Sequence, residues 1–368
     1  MASTISARPT GPHAAAAGQL SLAGTQTGML SSMKPTALTC LIAVLASLLL
    51  ACGGSDNDDS AGDTGSTATT APPATPAPAP AAPAKPKPPV AAAPAKPKRG
   101  SFVVGIGEQN SPMFADRRFR DLGIAHARLV APYDTVARRG ERDLADVWLG
   151  AAKAAGAEPF ITFGHSRAKP AKLPSVAEFR AAFDAFHKRY PEVKTYAPWN
   201  EINHASQPTA RAPQRAAEYY NVVKARCPDC TVLAGDVLDQ AGMTGYVKRY
   251  RRHLDGEPAI WGLHNYADTN RFRTSGLRDL MRTVKGDIWL TETGGIVKFG
   301  RNFPRDEQRA ARSVTFALKL ARDNRRVKRV YLYNWTGAKP SDRFDSGLIG
   351  SDGTARPGYD ALRAGLKG

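Results

Sequence analysis

From Ser101 to the C-terminus the chain alternates short apolar runs with longer segments of helical spacing, eight of each. The runs are Phe102–Ile106, Ala125–Ala131, Pro159–Phe163, Thr195–Trp199, Thr231–Ala234, Ala259–His264, Ile288–Thr291 and Arg329–Trp335. Apolar positions at helical intervals predict helices over Phe114–Leu122, Asp143–Ala155, Val176–Tyr190, Gln214–Ala225, Thr244–Leu254, Gly276–Val284, Asp306–Asp323 and Pro357–Leu366. Nearly continuous apolar runs of this length suit strands buried on both faces, as in parallel sheets. Parallel neighbours need a crossover, and the intervening helices supply it. The count of eight predicts an α/β chain closed into a (β/α)8 TIM barrel. An open doubly wound sheet would carry a glycine-rich phosphate turn after its first strand. Here Gly105-Ile106-Gly107 leads into Glu108-Gln109-Asn110, which does not complete that fingerprint. Gly123, Gly156 and Gly286 fall where helices should end, and Pro213 and Pro357 where they should begin.

The chain has 368 residues, and residues 101–368 match the roughly 250 typical of one such barrel. Residues 1–52 read as a leader and lipoprotein-type signal peptide. Lys34 precedes a mostly apolar run, Ala37–Leu50, which has the length of a signal-peptide core and is too short to span a bilayer. Leu49-Leu50-Ala51-Cys52 resembles the lipobox of bacterial lipoproteins. That resemblance implies export, lipidation of Cys52 and a membrane anchor in the cell envelope; an ordinary secretory signal or a short anchor helix stays open. Met33 is a more natural initiator than Met1. Residues 53–100 are rich in Gly, Ser and Asp, then in Ala, Pro and Lys, and predict a disordered, semi-extended linker.

Four cysteines occur. Cys40 lies in the signal. Cys227 and Cys230 form Cys-Pro-Asp-Cys, which would suggest a redox motif in a reducing compartment. Export favours a structural disulfide, with free thiols as the alternative. A zinc site would need two further ligands. The formal net charge is +18, which suits an anionic polysaccharide, a phospholipid or teichoic surface, or nucleic acid, but reads more simply as heavy use of arginine. The basic residues are scattered over the predicted helices without basic stripes interleaved with aromatics, so nucleic acid is not expected. The chain is expected to be a monomer without cofactor. No His-Glu-x-x-His, paired cysteine cluster or Asp-rich calcium loop occurs, so no metal is expected either.

Two glutamates carry the chemistry. Glu201 lies in Trp199-Asn200-Glu201-Ile202-Asn203-His204 and Glu292 in Thr291-Glu292-Thr293-Gly294, each at the carboxyl end of an apolar run, the fourth and the seventh. Barrel active sites are built at that end, and two facing carboxylates are the minimum apparatus for cleaving a glycosidic bond. Three further segments complete a pattern: His264-Asn265-Tyr266, Trp335, and the tail Asp345-Ser346-Gly347-Leu348 with Asp352-Gly353 and Arg356-Pro357-Gly358-Tyr359. In this strand order the set resembles clan A of the glycoside hydrolases, from Phe102 to the C-terminus.

The resemblance implies a retaining β-glycosidase acting on a β-linked poly- or oligosaccharide. Glu292 would be the nucleophile and Glu201 the acid/base, the latter starting protonated. Asn200 would bind the sugar 2-hydroxyl, Tyr266 and Arg128 would hold Glu292, and His264 would join them. Trp335 would floor the subsite, with Trp199 or Trp261 as lesser candidates. Arg128 reads equally well as a buried ion-pair partner, and His264 and Tyr266 as core. His126 and His165 are taken as structural or unassigned, although His165, at the end of the third strand, is placed where a substrate contact can form. Asn203 and His204 carry no assigned role. The alternative is a non-catalytic carbohydrate-binding or cell-envelope lipoprotein on a degenerate barrel; retention of both glutamates counts against it.

Overall fold

The computed structural model describes residues 101–301 and 303–367. Cys52, the signal-type segment and the linker lie outside them. Among the described residues no helix is long and apolar enough to cross a membrane.

The strands are β1 (Val103–Gly107), β2 (His126–Pro132), β3 (Glu158–Gly164), β4 (Thr195–Ala197), β5 (Thr231–Val232), β6 (Asp236–Leu238), β7 (Ile260–His264), β8 (Asp287–Thr293), β9 (Lys298–Phe299), β10 (Val327–Tyr333) and β11 (Phe344–Asp345). The helices are α1 (Arg117–Asp121), α2 (Arg139–Ala154), α3 (Val176–Arg189), α4 (Pro213–Arg226), α5 (Met243–Arg251), α6 (Tyr266–Asn270), α7 (Ser275–Thr283), α8 (Glu307–Asp323) and α9 (Pro357–Leu366). Nine strands form one parallel sheet in the order β5-β4-β3-β2-β1-β10-β8-β7-β6. Strands β9 and β11 make a separate antiparallel ladder.

β5 and β6 are two pieces of one barrel position, the predicted fifth strand, interrupted at Gly235 with φ 138°. The interruption also closes the barrel. Leu233 N donates to Tyr196 O at 2.9 Å on one side, while Ala234 N donates to Ile260 O at 3.0 Å and Gly262 N to Gly235 O at 3.2 Å on the other. The nine strands therefore occupy the eight positions that the alternation predicts.

The helices start and stop where local chemistry directs. Ser175 and Glu178 form a reciprocal capping box on α3. Pro213 and Pro357 open α4 and α9. The predicted helix 114–122 is instead a 3-10 turn, Ser111–Ala115, followed by α1. Asp116 divides the two, its carboxylate accepting from Arg118 N at 2.9 Å. Cys227 and Cys230 are disulfide-bonded in the turn between α4 and β5.

The barrel interior has an apolar floor of Phe160, Ala197, Leu233, Trp289 and Tyr331. A side chain on Gly105 would collide with the Tyr331 ring, so β1 presents glycine there. Below, Arg329 stacks on Trp289 at 4.2 Å and pairs with Glu158 at 3.1 Å. The space above the floor is polar, and it holds the site.

Candidate active site

Side chains alternate along a strand, so residues two apart share a face. Counting upward from the floor, Arg128 on β2, Thr162 on β3, His264 on β7 and Thr291 on β8 point inward, and Asp236 on β6 joins them. The distances bear this out. Arg128 is 1% exposed and donates from Nη1 to Glu292 Oε2 at 2.7 Å, from Nη2 to Asp236 Oδ2 at 2.8 Å and Asn200 Oδ1 at 2.7 Å, and from Nε to Thr162 Oγ1 at 3.0 Å.

Strict alternation would send Glu292 outward, because its neighbour Thr291 faces in. A bulge in β8 reverses this. Gly262 and His264 of β7 pair with Trp289 and Glu292, and Val330 and Leu332 of β10 pair with Leu290 and Thr293. One extra residue in β8 thus re-aims the carboxylate into the barrel. There both its oxygens are engaged: Oε2 by Arg128, and Oε1 by the Tyr266 hydroxyl at 3.1 Å. Burial, reinforced by the Glu292 charge, pushes the Tyr266 phenol well up, so it remains a donor.

Glu201 is held differently. β4 ends at Ala197, before Pro198, and the chain turns. Glu201 takes a left-handed φ of 46°, uncommon for a residue with a side chain. The turn is fastened on both sides, by Asn200 N to Phe163 O at 2.7 Å and by Ile202 N to Asp236 O at 2.9 Å. Glu201 Oε1 lies 3.2 Å from His264 Nδ1. Its buried Oε2 has no hydrogen-bond partner among the described residues, and His204 Nδ1 lies 3.8 Å from it. The same His264 nitrogen is 3.9 Å from Glu292 Oε2, so one imidazole adjoins both carboxylates. Burial works against charge on His264, but Glu292, Asp236 and Glu201 outweigh it and hold the imidazole up to about 9. Burial also pushes the Asp236 carboxyl up, yet Arg128, His264 and Thr291 prevail and keep it well below the usual range.

The structure brings Glu201, Glu292, Asn200, Arg128, His264 and Tyr266 together. Because Asn200 Oδ1 faces Arg128, its amide N–H groups point away from the guanidinium. Trp335 is a correction. β10 ends two residues before it. The indole is 2% exposed, packed edge-on against Phe119 and Tyr359, with Nε1 donating to Asp116 Oδ2 at 3.2 Å. It is core between α1 and α9 and offers no face to a sugar. Trp199 and Trp261 are also fully buried. The aromatic residue that β10 places near Glu292 is Tyr333, in a cluster with Tyr266, Ile296, Phe299, Phe303 and Phe344. Burial, together with Glu292 and Glu108, keeps its phenol protonated.

Glu108, just beyond β1, was also missed by sequence reasoning, although it is a strand-end acid like the other two. Its Oε2 accepts from Trp335 N at 3.1 Å and Thr336 N at 2.8 Å, its Oε1 from Gln109 N and Asn110 N. It ties the first loop to the last. His126 lies at the floor beside Glu158, 3.3 Å away. His165 meets Gln207 Oε1 at 3.2 Å. Asn203 bonds both backbone groups of Leu238. A cluster of metal-ligand type, His187 with Cys227 and Cys230, lies away from this site, and its two sulfurs are bonded to each other.

No family model matches the sequence, and no curated protein matches it. Solved structures do match in fold. A family 39 glycoside hydrolase from Bacteroides cellulosilyticus is similar with a TM-score of 0.51 at 17% identity, over 73% of this chain and 64% of that one. The chain thus spans less than two thirds of that enzyme's length. A GH5_18 protein from Streptomyces cattleya, in complex with GlcNAc, gives 0.52 at 16% identity over 73% of this chain and 80% of that one. Xylanase 10B from Thermotoga petrophila, in complex with xylobiose, gives 0.54 at 13% identity over 73% and 94%. At such identities the likeness establishes the fold: a (β/α)8 barrel of the architecture found in glycoside hydrolases.

Proposed function

We propose that this protein is a retaining β-glycosidase that cleaves a β-linked poly- or oligosaccharide. One observation carries the reading: Glu201 and Glu292, from opposite walls of the barrel mouth, converge on the single nitrogen His264 Nδ1. In this mechanism Glu292 attacks the anomeric carbon while Glu201 delivers a proton to the departing oxygen. A glycosyl ester forms on Glu292. Glu201 then takes a proton from water, which attacks the same carbon and releases Glu292, so configuration is retained. Glu292, gripped by Arg128 and Tyr266, suits the nucleophile. The unpartnered Oε2 of Glu201 suits the acid, since the leaving oxygen supplies the missing partner. The amide of Asn200 is available to the sugar 2-hydroxyl, a contact that strengthens as positive charge grows on the ring. The reading includes a lipid anchor at Cys52 that holds a monomeric barrel at the envelope through the 53–100 linker.

The test is hydrolysis by the purified full chain against β-glucans, galactans, xylans, mannans and aryl β-glycosides, with Glu201→Gln and Glu292→Gln alongside. Activity in the parent and its loss in both variants supports the proposal. A parent that binds a glycan without cleaving it, with variants that bind equally well, supports a carbohydrate-binding protein instead. Labelling with a radioactive fatty acid, abolished by Cys52→Ala, tests the anchor.

A further inference from the structure

Asp236 touches neither glutamate, yet both cationic groups that do are gathered on it. Its Oδ2 accepts from Arg128 Nη2 at 2.8 Å and from Thr162 Oγ1 at 3.1 Å, its Oδ1 from Thr291 Oγ1 at 2.7 Å, and His264 Nε2 stands 3.6 Å from Oδ2. The fold makes room for it. Gly262 pairs with Asp236 across β6 and β7, and a Cβ there would fall on Asp236 Oδ1 and crowd Thr291 Oγ1. The carboxylate crosses β7 to reach β8 because the residue in between is glycine.

Counting donors limits where the protons can lie. Arg128 has five N–H groups. The Nε proton goes to Thr162 and one Nη1 proton to Glu292. The two on Nη2 go to its shortest acceptors, Asn200 and Asp236. A bare His264 Nε2, 3.2 Å from Nη2, would be a third acceptor competing for the same two protons. A proton on Nε2 removes that competition and sets positive charge 3.6 Å from Asp236 Oδ2, while Nδ1–H donates to Glu201 Oε1 at 3.2 Å.

We propose that Asp236 is the positioning residue of this site: its buried carboxylate fixes Arg128 against Glu292 and holds His264 as an imidazolium against Glu201. The titratable and charged groups facing His264 are Arg128 from β2, Glu201 from the turn after β4, Asp236 from β6 and Glu292 from β8. Only Arg128 opposes its protonation, and burial opposes it as well. The upward displacement of the His264 titration agrees with this balance. The charge arrangement stands on geometry alone; its catalytic consequence rests on the glycosidase reading.

The experiment is nitrogen NMR of the full chain labelled with ¹⁵N-histidine, with His264 assigned among the seven histidines by its loss in His264→Gln. Both ring nitrogens of His264 should be protonated at neutral pH in the parent. In Asp236→Asn the midpoint should fall by about one pH unit or more. Thr291→Val, which keeps Asp236 but frees Oδ1, should give a smaller fall. A neutral His264 in the parent at neutral pH overturns the proposal, even if Asp236→Asn does not fold. So does a folded Asp236→Asn that keeps the parent titration. In glycan hydrolysis Asp236→Asn should lower kcat more than it raises KM and move the alkaline limb to lower pH. A parent that hydrolyses no glycan defeats the glycosidase reading, while the spectrum still decides the charge arrangement.

Discussion

Glu292 stands on a strand and Glu201 on a turn, and their surroundings differ accordingly. On the β8 wall a bulge turns Glu292 inward, where a guanidinium takes one oxygen and a phenol the other. On the opposite wall a left-handed residue carries Glu201, one oxygen against His264 and the other without a partner. Donors at both oxygens fix the orientation of the first carboxyl group. The second keeps one oxygen open. Two identical side chains are thus given unlike surroundings, and the proposed two-carboxylate chemistry rests on that difference.

The comparison breaks most readily at the glutamates themselves. Glu292→Gln should lower kcat on every glycoside by on the order of 10⁴-fold or more, since no nucleophile remains. Glu201→Gln should cost about 10²–10⁴-fold on a natural linkage, and far less on a dinitrophenyl glycoside, whose leaving group needs no proton. Equal losses on the dinitrophenyl substrate would defeat the division of roles. Next comes the β10 side of the mouth. Trp335→Ala should destabilise the fold by about 3–5 kcal/mol in denaturant titrations without raising KM; a raised KM at unchanged stability would return Trp335 to the subsite.

Tyr266→Phe sharpens the contrast, since it strips one donor from Glu292 alone. A hydrogen bond to a charged group is worth about 1.5–3 kcal/mol, so kcat/KM should fall by about 10–150-fold. The smallest effect is on stability. His264 titrates near 9, above the ordinary 6.5, so its contribution is complete below the lower value and is lost as pH rises through the upper one. Between these limits the parent should lose stability relative to His264→Gln in urea unfolding; parallel curves would contradict this.

Much of the barrel was legible in the sequence because buried parallel strands and their helices leave periodic marks, and Gly123, Gly156, Pro213 and Pro357 punctuate them. Both glutamates were legible as strand-end acids. Asp236 was not: the kink at Gly235 breaks the two-residue alternation just before it, so Leu233 and Asp236, three apart, both face inward. The bulge that aims Glu292 leaves no sign in a run of apolar residues. Trp335 misled because β10 stops at Tyr333, and the chain then carries the indole into the packing of α1 and α9 rather than over the mouth.

Trapping the reaction midway tests the central claim most directly. A panel of 2-deoxy-2-fluoro β-glycosides with dinitrophenyl leaving groups would be incubated with the full chain, and the digest analysed by mass spectrometry. The account predicts a fluoroglycosyl adduct on the peptide containing Glu292, with hydrolysis products of retained configuration by proton NMR. An adduct on another residue, or turnover with inverted product and no adduct, would contradict it.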